Sequence, residues 1–254
     1  MANITHKWKR GMAWSCSHAI HADPVAMSAM LKFREAWKPS YVACLGDFID
    51  MTAFMGNGTG DGDVSPDIET GLMHLKQMMP KDKHSRYEVL LGNHEDRVDR
   101  MRKGEGALAY AAHKAFESIE QCCQKLNARL HPYTGIWQKV MVEESDILLT
   151  HGTWYNQNAA ASMAAHYCNG TIVRKVLFGH THKVAVAAAD TDHGGIAYNV
   201  GTLTTRGALD YSKTRKSTAQ WMQGWAYFEY CNELGMSSVN LITRNPGEQW
   251  RLPI

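Results

Sequence analysis

The chain has 254 residues, enough for one large domain or two small ones with a substantial buried core, and 44% hydrophobic with 20% charged residues excludes disordered, collagenous and coiled-coil classes. Lys and Arg total 27 against 25 Asp and Glu, a formal charge of +2, so any affinity for phosphates must reside in a local site rather than in bulk electrostatics. No apolar run approaches the roughly 18 residues that span a bilayer, the start MANITHKWKRG lacks a signal peptide's apolar stretch, and the six cysteines (Cys16, Cys44, Cys122, Cys123, Cys168, Cys231) form no CxxC pair; the expectation is a cytoplasmic protein with reduced, mostly buried thiols and no membrane partner.

No repeat, low-complexity tract or Pro-rich linker marks a boundary, so residues 1–254 read as a single domain. A short strand over 12–16 leads to a helix that Asp23 caps and Pro24 opens, with Met27, Met30, Leu31 and Trp37 at helical spacing and Pro39 ending it. Residues 41–45 form a strand closed by Gly46, and the glycine-rich 56–62 stretch is a surface loop. Ile68, Leu72, Leu75 and Met79 share one face of a second helix, before a strand over 87–91 closed by Gly92. Residues 106–130 read as helical. Strands then dominate, over 137–142, 147–150, 171–178, 184–189, 196–200, 225–231 and 239–243, with one helical stretch at 158–167. A chain that begins βαβα and ends in consecutive strands predicts an α/β fold, two packed sheets with helices outside.

Five clusters each follow a predicted strand: Cys16-Ser17-His18, Gly46-Asp47-Phe48-Ile49-Asp50, Gly92-Asn93-His94-Glu95, His151-Gly152, and Gly179-His180-Thr181-His182. In such folds functional residues collect beyond the strand ends. One cluster alone is a turn with a satisfied histidine as readily as a site; five of them, built from His, Asp and Asn, predict converging oxygen and imidazole ligands for a divalent metal such as Mn, Fe or Zn. The 13 histidines, about twofold above ordinary usage, fit that reading. Several histidines, a carboxylate and an Asn amide exceed one tetrahedral shell, so two metals sharing Asp47 are expected.

In this order the clusters resemble the motif set of the calcineurin-like metallophosphoesterase superfamily: DxH, GDxxD, GNHE or GNHD, an isolated His, and GHxH. The resemblance spans almost the whole chain and is greatest to short phage and bacterial metallophosphoesterases, through His21 and Asp23 after the first motif, the run GNHEDR, and Trp221-Met222-Gln223-Gly224. It implies a four-layer α-β-β-α sandwich of two mixed sheets flanked by helices, and two divalent ions, Mn, Zn or Fe, with Mg a poorer fit. It implies further that Asp47 bridges the ions, that His18 and His182 complete one shell, and that Asn93, His151 and His180 bind the other. His94 then assists the leaving oxygen and Asp50 orients its ring. Cys16 replaces the first motif's Asp; as a thiolate ligand it favours Zn or Fe over hard cations, as a bystander it is a small buried residue, and His21 or Asp23 are alternative ligands.

The implied activity is hydrolysis of phosphate esters by metal-bound hydroxide, read here as a phosphodiesterase acting on nucleotide or nucleic-acid substrates, in the host cytoplasm if the gene is a phage's. A phosphomonoesterase, on nucleotides or proteins, and a non-catalytic scaffold of the same fold are the alternatives. The basic 204–217 stretch, with Arg206, Lys213, Arg215 and Lys216 around Tyr211, suits phosphates and a stacked base, or is a solvated loop. Arg97, Arg100, Arg102 and Lys103 alternate with Asp96 and Asp99 and read first as intrahelical pairs. Trp154, Tyr155 and Asn156 overhang the site or simply pack. Asp61 and Asp63 lack the bidentate Glu of a calcium loop.

Overall fold

The computed structural model describes residues 6–54, 64–209, 216–245 and 247–254. The 56–62 loop and the core of the basic 204–217 stretch, Tyr211, Lys213 and Arg215 among it, lie outside the described residues.

Strand β1 (Lys9–Trp14) leads into helix α1 (Pro24–Trp37), where the Asp23 carboxylate accepts from the Val25 and Ala26 N–H groups at 2.8 and 3.1 Å and Pro24 occupies the first turn. The helix ends at Lys38, in the left-handed region at φ 51°, one residue before Pro39. Strand β2 (Tyr41–Cys44), helix α2 (Ser65–Met78) and strand β3 (Arg86–Leu90) repeat the unit, followed by helices α3 (Asn93–Met101) and α4 (Ala107–Leu126) and strand β4 (Ala128–His131). β1 to β4 run parallel because each connection carries a crossover helix. The chain end returns as the hairpin β10 (Gln223–Cys231) and β11 (Met236–Arg244), antiparallel to β1, giving the order β11-β10-β1-β2-β3-β4.

The second sheet has the order β5-β6-β7-β9-β8, built from β5 (Val140–Met141), β6 (Ile147–Leu149), β7 (Lys175–Phe178), β8 (Val184–Ala188) and β9 (Ile196–Val200). β6, β7 and β9 are parallel, β5 and β8 are antiparallel edges, and helix α5 (Ala159–Cys168) crosses between β6 and β7.

The strand period of two sorts side chains into layers. Met12, Trp14, Val42 and Cys44 face α1, α2 and α4, meeting Phe33, Leu75 and Phe116; Ala13, Tyr41 and Ala43 turn the other way and meet Leu149, Leu177 and Phe228 between the sheets. Leu148, Val176 and Phe178 face α5 on the far side, against Met163 and Ala164. Three apolar layers between four layers of secondary structure are the expected α-β-β-α sandwich.

Several expected boundaries move. The 106–130 helix stops at Leu126 because Asn127 turns left-handed at φ 55°, and Ala128–His131 instead forms the edge strand of the first sheet. The 137–142 strand shrinks to Val140–Met141, and Trp137, 72% exposed, ends a 3-10 turn. The strand expected from 171 begins at Lys175, because the Thr171 hydroxyl accepts from Val173 N and donates to Tyr167 O, folding that segment back on α5.

Candidate metal centre

The five clusters leave the ends of β1, β2, β3, β6 and β7 and meet where the two sheets face each other. Their backbone is forced into the left-handed region at Cys16 (φ 54°), His18 (47°), Asp47 (54°), His180 (68°) and His182 (59°), conformations that cost free energy and persist only where surrounding contacts enforce them. The turns lock together: Cys16 N–H donates to Gly46 O, His18 N–H to Asp47 O, and Leu203 N–H to Cys16 O. Gly46 and Gly92 permit this approach, since a Cβ on Gly92 would lie 2.2 Å from Asp47 Oδ1 and one on Gly46 2.5 Å from Gly92 N.

Asp47 lies at the centre, 1% exposed. On one side the Sγ of Cys16 and ligand atoms of His18, Asp47 and His182 lie within 4.8 Å of one another. His18 Nδ1 donates to the Asp50 carboxylate at 3.0 Å, which leaves a lone pair on Nε2, and that nitrogen faces His182 Nε2 at 3.0 Å. On the other side His151 Nδ1 donates to Leu45 O at 2.7 Å, so Nε2 of the neutral ring is an acceptor. It stands 3.2 Å from Asp47 Oδ2, 3.2 Å from Asn93 Oδ1 and 3.1 Å from His180 Nδ1. Close nitrogen–nitrogen and nitrogen–oxygen approaches of this kind are held by a shared proton or by a cation, both groups of donors fit a divalent metal, and His182 Nδ1 and His180 Nε2 are buried without partners among the described residues.

Burial, with His18 alongside, pushes His182 well below the usual imidazole range, and burial with His151 alongside takes His180 to about 3. Burial and the neighbouring His94 lower His18 as well. These three rings are therefore neutral and can ligate. Asp47 is opposed by burial but held well below the ordinary carboxylate range by His151 and His94. Burial and Asp47 drive the Cys16 thiol well up, while Ser15 Oγ at 3.1 Å and His180 N–H at 3.3 Å bond its sulfur.

His94 packs its ring 4.5 Å from that of His18 and, with His18 and Asp50, forms a further cluster beside the first group of donors. Its backbone N–H donates to Asp47 Oδ1 at 3.1 Å and its Nδ1 to Asp50 O at 2.6 Å, while Nε2 has no protein partner among the described residues. Burial disfavours the charged ring, but Asp47 and Asp50 outweigh it and lift His94 to about 9. Asp50 accepts from His18 and from the Thr52 hydroxyl, and those bonds to His18 and His94 hold it far below its ordinary range against its burial.

The structure places Cys16 with the expected ligands and puts Asp23 elsewhere, capping α1 and accepting from Gln223 at 2.8 Å. His21 Nε2 approaches Asp50 Oδ2 only to 3.8 Å. Tyr155, 70% exposed, packs its ring 4.1 Å from that of His180, whereas Trp154 packs on His166. Trp221 lies 4.2 Å from the His182 ring.

Five residues support the site in roles that the sequence reading did not assign. Glu95, fully buried, accepts from Asp47 N, Ile49 N and Gly92 N at 3.0, 3.1 and 2.7 Å; burial and Asp47 push it up to about 7 against those three donors. Asp67 accepts from Asp50 N and Met51 N. Gln138 accepts from His151 N, and the Thr202 and Thr204 hydroxyls donate to Cys16 O. Only Glu95 had a sequence signal, an acid at the third position of a helix that begins at the motif's Asn93.

The family model for calcineurin-like phosphoesterases matches residues 20–184. The chain belongs to that family. The match takes in Asp47, Asn93, His94, His151, His180 and His182 and starts beyond Cys16 and His18, where this chain departs from the DxH pattern. Similar solved structures include a metallophosphoesterase from Sphaerobacter thermophilus (15% identity, 94% of this chain and 89% of that one, TM-score 0.45). Others are Yfce, a phosphoesterase from E. coli (14%, 93% and 100%, 0.41), and Vps29 complexed with zinc from Entamoeba histolytica (13%, 93% and 99%, 0.42). The comparison with curated proteins gave no match. This chain is a metal-dependent phosphoric ester hydrolase, and no helix among its described residues is long and apolar enough to cross a membrane.

Proposed function

We propose that the chain, acting as one domain over residues 1–254, is a dinuclear phosphodiesterase for nucleotide or nucleic-acid esters. The observation that carries the reading is the pair of donor groups that share Asp47. Cys16, His18, Asp47 and His182 would hold one ion; Asp47, Asn93, His151 and His180 would hold the other. Divalent ions there supply Lewis acidity toward phosphate oxygens and activate water at neutral pH.

The chain's own residues do the rest. Asn93, at the first turn of α3, brings its amide oxygen to 3.2 Å from His151 Nε2. The Nδ1–H bond to Asp50 O fixes the orientation of the charged His94 ring, and the proton on its Nε2 can pass to the leaving oxygen. Asp50 keeps that ring charged and oriented, and ties it to His18.

The test is the initial rate on bis(4-nitrophenyl) phosphate and on 4-nitrophenyl phosphate after manganese loading, with metal content measured on the same sample. Two ions per chain, a diester rate above the monoester rate, loss of both rates on chelation, and a drop of roughly 10²–10⁴-fold in His94→Ala are expected. A dominant monoester rate would give way to the phosphomonoesterase reading, and no rate with no bound metal to a scaffold.

A further inference from the structure

Helix α3 and the turn that ends it carry four basic side chains after His94, and three of them are paired with carboxylates. Arg100 pairs with Asp96 at 2.9 Å, Arg102 with Asp99 at 2.8 Å, and Lys103 with Asp99 at 2.7 Å. The fourth, Arg97, has no carboxylate within 4 Å among the described residues. It is part-buried, and its Nη1 lies 3.4 Å from Nδ1 of His94. That contact is not a hydrogen bond in substance: Nδ1 already gives its proton to Asp50 O at 2.6 Å, so it offers no lone pair to a guanidinium.

The neighbouring acids are committed as well. Asp50 holds His18, Thr52 and His94; Glu95 holds three backbone N–H groups; Asp67 holds two. A guanidinium is charged at every working pH, and among the described residues this one has no counter-charge; an anionic ligand would supply it.

The position says which anion. Arg97 lies beside the inward nitrogen of His94, whereas Nε2 is the nitrogen that meets the substrate, so the guanidinium is set back from the reacting phosphorus by the width of the imidazole, on the leaving-group side. An oxygen of the phosphate under attack belongs nearer the donor groups around Asp47. We infer that Arg97 binds a second phosphate carried by the leaving group, as when the leaving nucleoside of a strand bears the next phosphate. Its fork accepts two phosphate oxygens at once, a contact an isolated diester cannot make. This rests on the reading that His94 serves the leaving oxygen.

The experiment is calorimetric binding to the manganese-loaded protein of thymidine 3′,5′-bisphosphate, against thymidine 3′- and 5′-monophosphate. The bisphosphate should bind at least about tenfold tighter than either monophosphate, the effect of one charge-assisted pair. Arg97→Gln should remove that advantage, Arg97→Lys should retain part of it, and Arg100→Gln, on the same helix but paired, should keep all of it. Equal affinities in the parent protein, or an advantage that survives in Arg97→Gln, would overturn the assignment. Failure of the phosphoesterase reading shows separately, as absence of His94-dependent turnover of the aryl esters.

Discussion

Cys16 meets two demands with one side chain. Its backbone is left-handed, at φ 54°, with its carbonyl held by Thr202 and Thr204, and its sulfur is buried beside Asp47. Asp tolerates the left-handed region better than Cys, and its carboxylate oxygen is a harder donor than sulfur. Cys16→Asp should therefore raise manganese-supported activity several-fold and weaken zinc retention, read by kcat/KM with each metal and by metal content after dialysis. Equal rates and equal metal content in both proteins would remove Cys16 from the centre. The cysteine itself was visible in the sequence as a departure from the motif. Its environment was not, because Ser15, His180, Thr202 and Thr204 reach it from three segments of the chain, two of them more than 160 positions away.

At the level of elements, signals local in sequence were readable. Asp23-Pro24 and Pro39 bracket α1, and four of the five chemical clusters begin where an apolar run gives way to a glycine or histidine. Signals that depend on tertiary pairing were not. β4 is a four-residue edge strand with no buried position, so it shows no apolar alternation. Glu95 belongs to the same class: its carboxylate bolts the start of α3 to the loop after β2 through Asp47 N, Ile49 N and Gly92 N. In Glu95→Gln the amide NH₂ would face N–H groups that need an acceptor. The expected loss is about 1–3 kcal/mol of stability, with a lower Tm both with chelator and with metal. Metal affinity should fall too, because the clamp fixes the Asp47 backbone. An unchanged Tm would show that the three bonds contribute nothing net.

Across the whole molecule, the centre exists because parallel strands of both sheets end on the same side, and the stability of that frame depends on the layers that pack against them. His74 lies on α2, 5% exposed, with Nδ1 buried and unpartnered among the described residues. Burial alone takes it from 6.5 down to about 4. Above pH 6.5 the ring is neutral whether the chain is folded or not, and His74 adds no pH dependence. As pH falls below 6.5 the unfolded chain binds a proton that the folded chain refuses until about 4, so stability declines through that window, by up to about 3 kcal/mol. His74→Leu removes the titration and the unpartnered nitrogen together. Its urea-unfolding free energy should equal or exceed the parent's at pH 7, and the difference in its favour should widen steadily from pH 6.5 to 4 while the metal-site histidines, common to both proteins, cancel. Parallel curves over that window would mean that His74 accepts its proton inside the fold, through a rearrangement of the layer between α2 and the first sheet.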